Sequence, residues 1–148
     1  MKRYVLDTNL FVHASHDRSK ADELSAFSSA FLPHIHLHAV VVEELLAGAT
    51  SARWRREIER GLVAPFERRG RVVTPSYRSW KRSGEIVSEL ITRKKLSPAG
   101  VGRSFLNDAL LAASCREEGL VLISENERDF DLITSVEPTR VVPPWPDA

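Results

Sequence analysis

The sequence predicts an α/β fold, a central and mainly parallel sheet with helices on both faces. Three observations carry this reading. Short apolar runs of strand length alternate along the chain with longer stretches of helical period. One run, Leu120 to Ile123, is apolar throughout, as strands covered on both faces of a parallel sheet are. Another, Arg3-Tyr4-Val5-Leu6, passes directly into the polar turn Asp7-Thr8-Asn9 and then into Leu10-Phe11-Val12, the pattern of a βα unit.

The elements follow in order. Residues 3–6 form the first strand. Over Lys20 to Phe31 the residues Leu24, Phe27, Ala30 and Phe31 share one helical face, and Pro33 ends that helix. His34 to His38 alternates and reads as a strand, followed by a helix from Ala39 to Ala47 that Gly48 closes. An Arg-rich helix is expected over 51–69 and a short strand over 71–74. A helix with a basic outer face is expected over 77–95, where Trp80, Ile86, Val87, Leu90 and Ile91 recur at helical spacing. Pro98, Gly100 and Gly102 make 96–103 a loop. Phe105 to Glu118 is the next helix, with Asp108 in its first turn. Then come the strand 120–123, a short helix over 129–133 and a last strand over 140–142.

A length of 148 residues suits one domain spanning 1–148. Hydrophobic residues at 43% and charged residues at 28% are ordinary for a soluble globular chain, which excludes disorder. The longest apolar stretch, Ala39 to Val42, is too short to cross a bilayer, and Asp7 interrupts the run that a signal peptide needs. Cys115 is the only cysteine, so no internal disulfide or cysteine-rich zinc site forms. Its apolar surroundings read as a packed thiol, and a reducing cytoplasm fits. The net charge of +1 hides an uneven distribution. Residues 53–103 hold fourteen Lys/Arg against five Asp/Glu, residues 1–52 four against six, and residues 104–148 three against nine. A basic middle between acidic ends suits a polyanion gripped in one place and attacked in another. A solvated helix face of i,i+4 ion pairs is the plainer reading of Arg53, Arg55, Arg56 and Arg60 with Glu57 and Glu59.

Four acids stand where open α/β sheets place ligands and chemistry. Asp7 ends an apolar strand and has no i,i+4 partner there; its plainer role is a cap for the following helix. Glu44 falls between Val40 and Val41 on the helical wheel, and Glu43 between Leu46 and Ala47; pattern alone leaves both open. Asp108 in a first helical turn is favoured by the helix dipole alone, yet the loop before it lets it face a sheet edge. Asp129 follows the buried strand within Ser124-Glu125-Asn126-Glu127-Arg128-Asp129-Phe130, where Ser124 and Asn126 could orient a carboxylate or a water. Four carboxylates over one edge point to a hard-metal site and phosphoryl chemistry.

Taken together and in order, Leu6-Asp7-Thr8-Asn9, Glu44-Leu45-Leu46-Ala47-Gly48, Asn107-Asp108-Ala109-Leu110-Leu111-Ala112-Ala113 and Ser124 to Phe130 resemble the PIN-domain family, most closely its VapC-type toxins. The resemblance selects Glu44 over Glu43, because the family's acid directly precedes a Leu and lies four residues before a Gly. Where the family often has Ser or Thr, six and three residues before that Glu, this chain has His38 and Val41; at Asn126 it keeps no acid, so Asp129 is the fourth carboxylate. The resemblance implies a PIN-like three-layer sandwich and an endoribonuclease dependent on Mg²⁺ or Mn²⁺. Asp7 and Asp108 would be the principal ligands, with Glu44 and Asp129 completing the site and Ser124 and Asn126 positioning the attacking water. It also implies an RNA substrate, a homodimer and a cognate antitoxin.

Two other readings are open. A phosphatase resembling the haloacid-dehalogenase type would need a second Asp at position 9, which is Asn9. A PIN-like protein that binds RNA or a partner without cutting it would keep the fold alone. His34, His36 and His38 share one strand face, where a structural or solvent-facing role is expected over zinc. Trp54 and Trp80 could stack on bases, although a helix facing a core explains them more readily.

Overall fold

A computed structural model describes residues 1–147. Five parallel strands, β1 (Tyr4–Leu6), β2 (Ile35–His38), β3 (Val72–Val73), β4 (Val121–Ile123) and β5 (Val141–Val142), lie in the order β3-β2-β1-β4-β5. The chain builds one half of the sheet outward from β1 and then returns to add β4 on its other side. The strand order therefore reverses between β1 and β4, and the crevice beyond their carboxyl ends is where such sheets bind ligands.

Strand alternation divides the core into two layers. Val5, Leu37 and Leu122 face one layer, with Val41, Ile86, Leu90, Leu111 and Ile133 packed over them. Tyr4, Leu6, Ile35, Val121 and Ile123 face the other, covered by Leu10 and Phe27. These faces are supplied by α1 (Thr8–His16), α2 (Arg18–Phe31), α3 (Ala39–Ala47), α6 (Tyr77–Thr92), α7 (Arg103–Glu118) and α8 (Glu127–Thr134). The sandwich of helix, sheet and helix expected from the sequence is the one observed. Cys115 is fully buried, and no helix among the described residues is long and apolar enough to cross a membrane.

Several boundaries differ for identifiable reasons. The Arg-rich helix runs unbroken over 52–68, but α4 (Ala52–Ile58) and α5 (Ala64–Arg68) are joined by a wider turn of π-helix at Glu59–Val63. Pro65 cannot donate an N–H to the turn before it, and widening the helix there accommodates the missing bond. Helix α7 begins at Arg103, so Asp108 lies in its second turn rather than its first. The helix ends on Gly119 with φ at 67°, a left-handed conformation that suits glycine. Trp54 and Trp80 are 39% and 59% exposed, contrary to a core-facing role. Helical spacing does locate the buried face of α6, at Ile86, Val87 and Leu90, but Trp80 lies off it.

His38 has a structural role at the junction of β2 and α3. Its Nδ1 accepts from the Val40 backbone N–H at 3.1 Å and thereby caps α3. The proton then sits on Nε2, which donates to Ser114 Oγ at 2.8 Å. The imidazole performs the capping that Ser or Thr performs by a hydroxyl. Burial pushes its pKa down from 6.5 to about 4, so the folded protein holds it neutral. Its contribution to stability is therefore complete above about pH 6.5 and is lost as pH falls towards 4, on the order of 3 kcal/mol at roughly 1.4 kcal/mol per pH unit. Between pH 4 and 6.5 Asp108 contributes a slope of opposite sign in both proteins, so urea titrations should show the His38 contribution as a difference in slope between wild type and His38→Asn. Equal slopes in the two proteins would assign the acid sensitivity elsewhere.

Candidate active site

Asp7 caps α1 from the end of β1. Its backbone N–H still donates to Ile123 O at 2.9 Å, which pins its position against β4. One carboxylate oxygen accepts the Thr8 N–H at 2.8 Å; the other accepts Ser124 Oγ at 2.7 Å and Asn9 Nδ2 at 3.4 Å. The residue is 4% exposed. Burial raises its pKa, opposed by the bonds from Ser124 and Thr8, and the nearby Glu44 raises it further.

Glu44 projects from α3 towards the same place. It is half-buried, and its Oε1 accepts Thr8 Oγ1 at 2.7 Å. Glu43, one residue earlier, is exposed and pairs with Arg103. The turn of α3 thus separates two adjacent acids into a site-facing and a solvent-facing one.

Asp108 enters from α7 and is buried. Its pKa is pushed up to about 8, first by burial and then by the charges of Asp7, Glu44 and Asp129, with only the Asn126 bond opposing. Asn126 Nδ2 donates to Asp108 Oδ2 at 3.1 Å and to Asp129 Oδ2 at 3.2 Å, while its own Oδ1 accepts the Asp129 N–H and caps α8.

Asp7, Glu44, Asp108 and Asn126 border one cavity of about 330 Å³ at the crevice between β1 and β4. Ser124 lies beneath it, buried, with its hydroxyl on Asp7. Asp129 does not border this cavity; it lines the neighbouring one and reaches Asp108 through the Asn126 amide. The six residues singled out in the sequence therefore belong to one hydrogen-bonded group, with Asp129 at its edge.

Sequence reasoning passed over three residues at the rim. His13 borders the same cavity, and its Nδ1 meets the Glu125 carboxylate. Lys20 Nζ holds the other Glu125 oxygen at 3.0 Å. Burial opposes the charged Glu125, yet the bonds from Lys20 and His13 hold its carboxyl below the usual range. A usable signal for His13 was its place four residues after Asn9, one turn along the same face of α1.

The donor set fits a hard divalent ion. It consists of carboxylates backed by hydroxyls and amides, and burial together with the charges of its neighbours, which hold a proton on Asp108, leaves the site in need of a cation. Among the described residues no three His, Cys, Asp or Glu side chains are gathered tightly enough to hold a metal alone. Waters would therefore complete the shell, as Mg²⁺ prefers.

Beyond Glu44 runs an apolar groove of about 570 Å³ bordered by Phe11, Leu45, Trp54 and Ile58. Next to it lies a cleft bordered by Arg53, Arg56 and Arg60. Arg53 pairs with Glu57 at 3.3 Å, whereas no ion pair among the described residues engages Arg55, Arg56 or Arg60. An ion-pair-laced helix face thus accounts for one of these four arginines.

Comparison with known proteins places the chain among relatives of this architecture. The PIN domain family profile matches residues 4–135. Ribonuclease VapC2 of Haemophilus influenzae is 28% identical over 137 residues, covering 92% of this chain and 96% of that protein. Among solved structures, the DNA-bound VapBC complex from Salmonella typhimurium contains a similar chain, with a TM-score of 0.69 and 22% identity over 97% of this chain and 98% of that one. FitAcB from Neisseria gonorrhoeae aligns with a TM-score of 0.70 and 19% identity, covering 96% and 98%. At such identities these structures speak to the fold.

Proposed function

This chain belongs to the PIN-domain family, and from that premise we propose that it is a metal-dependent endoribonuclease, the toxin of a type II toxin–antitoxin pair. The observation that carries the reading is the convergence of Asp7, Glu44 and Asp108 on one cavity at the switch point of the sheet. Asp7 and Asp108 would hold Mg²⁺ or Mn²⁺, with Glu44 and Asp129 completing the site directly or through water. Such an ion, when bound, polarises a phosphodiester and makes bound water a better nucleophile.

The chain's own residues have separable tasks. Ser124 fixes the orientation of Asp7, and Asn126 fixes Asp108 against Asp129, so that repelling groups keep one geometry. Asn126 also borders the cavity, where a water could be aligned for attack, and Ser124 acts from beneath through Asp7. Arg55, Arg56 and Arg60 supply exposed positive charge that grips an RNA backbone without reading its sequence. The relatives' names support RNA as substrate and an antitoxin as partner. A homodimer and a cytoplasmic location belong to the same proposal.

The test is cleavage of labelled RNA against Mn²⁺ concentration, with Glu43→Gln and Glu44→Gln beside wild type. Wild type should cut with metal and stop with EDTA. Glu44→Gln should lose on the order of 10²-fold in rate, about 2.7 kcal/mol of transition-state stabilisation, while Glu43→Gln stays close to wild type. Binding of RNA without cleavage at any metal concentration would favour a non-catalytic PIN-like protein. Equal losses in the two variants would overturn the assignment of Glu44.

A further inference from the structure

We infer that His13 is a specificity-determining residue, whose ring Nε2 accepts a hydrogen bond from the ribose 2′-hydroxyl of the nucleotide seated in the acid cavity and so separates RNA from DNA. The inference rests on the nuclease reading and deepens it. It starts from the clasp at the rim. His13 lies on α1 and borders the cavity with Asp7, Glu44 and Asp108. Its Nδ1 is engaged by Glu125, whose other oxygen is held by Lys20. The Glu125 backbone N–H donates to Asn9 Oδ1 at 3.5 Å, which joins the loop after β4 to the turn that carries Asp7.

The direction of each hydrogen bond then follows. A carboxylate held by an ammonium group remains ionised, and an ionised carboxylate only accepts. Nδ1 must therefore carry the ring proton. A neutral imidazole protonated on Nδ1 presents Nε2 as an acceptor. Among the described residues no side chain or backbone group bonds to that nitrogen; the ring's hydrogen bond is the one Nδ1 makes to Glu125. His13 thus brings one unused acceptor to the rim of a cavity built for a polyanion.

The substrate's chemistry selects the partner. Phosphate oxygens, the ring oxygen of the sugar and the bridging oxygens of the backbone all accept. The 2′-hydroxyl is the one donor on the sugar–phosphate chain, and DNA lacks it. With Nε2 as acceptor, His13 thus favours a ribose over a deoxyribose at this position, whatever base it carries. The Lys20–Glu125 pair holds the ring by Nδ1 at the border of the cavity and keeps it in this tautomer.

The experiment uses the full chain with Mn²⁺ at about pH 8. The cut in a labelled single-stranded RNA is mapped with wild type, and the oligonucleotide is remade with a single 2′-deoxy replacement at each nucleotide flanking that cut. Wild type, His13→Gln and His13→Phe are compared for kcat and KM. One 2′-deoxy position should lower kcat/KM of wild type about 5- to 10-fold, the effect of one lost hydrogen bond. His13→Phe should show no penalty at that position. His13→Gln should retain part of it, because its amide oxygen can accept in place of Nε2.

A merely structural clasp would change stability and leave the 2′-deoxy penalty the same in all three proteins, which would overturn the inference. So would a wild type that shows no penalty at any flanking position. Should His13→Phe fail to fold, the comparison of wild type with His13→Gln decides. A wild type that cuts no RNA defeats the nuclease reading and this inference together; cleavage with an unchanged penalty defeats this inference alone.

Discussion

Asp7→Asn is expected to reduce RNA cleavage by about 10³-fold or more, on the order of 4 kcal/mol of transition-state stabilisation, while the protein stays folded. The carboxylate ends the central strand, is 4% exposed and is aimed by three hydrogen bonds from Thr8, Asn9 and Ser124. An amide has the same shape, and its oxygen can still accept the Thr8 N–H that caps α1. What it lacks is the charge. Because burial and Glu44 both raise the pKa of Asp7, its ionised form costs the metal-free protein stability. The variant should therefore melt at a higher temperature than metal-free wild type near neutral pH. A rise in melting temperature combined with loss of activity separates a functional acid from a structural one. Full cleavage by the variant would remove Asp7 from the mechanism, and collapse of the fold would make it chiefly a cap.

Much of this arrangement was legible because its signals are local. The strand ending in Asp7, the apolar run of β4 and the helical spacing of α3 and α6 each lie within a few residues of sequence. Parallel pairing then brings the ends of β1 and β4 together. The choice of Glu44 over Glu43 was only weakly local, since both have apolar neighbours on the wheel. In space Thr8 meets Glu44 and Arg103 meets Glu43, contacts 36 and 60 residues away in sequence. The pairing of His13 with Glu125 spans 112 residues and left no mark that a single sequence could show. The glycines before Asp108 predict a loop throughout, which puts the acid in a first turn. Gly102 instead precedes a helix that already runs from Arg103, so the acid projects from a firm second turn. The exposure of Trp54 and Trp80 illustrates a general limit: amphipathic spacing tells which face is buried, not that every large apolar residue lies on it.

The second large effect is a stability curve that metal should invert. Asp108 has its pKa pushed up to about 8, against an ordinary value of 3.8, so the folded metal-free protein holds a proton that the unfolded chain has released. Stability from this group is fully present below pH 3.8 and is lost as pH rises through 8. His38 acts with opposite sign, but only below about 6.5, so the window from 6.5 to 8 isolates the acid cluster. Across it, metal-free wild type should lose about 2 kcal/mol, at roughly 1.4 kcal/mol per pH unit. Asp108→Asn should be nearly flat over the same range, apart from the smaller contribution of Asp7, which has the same sign. Mn²⁺ should reverse the loss, because binding requires Asp108 ionised and competes with its proton. At a hundred times its dissociation constant the ion would add about 2.7 kcal/mol near pH 8, and much less near pH 5. Chemical denaturation at both pH values, with EDTA and with Mn²⁺, measures all four states. A flat metal-free profile, or equal stabilisation by Mn²⁺ at the two pH values, would mean that Asp108 holds no proton for a cation to displace, and the electrostatic case for a metal in this cavity would fail with it.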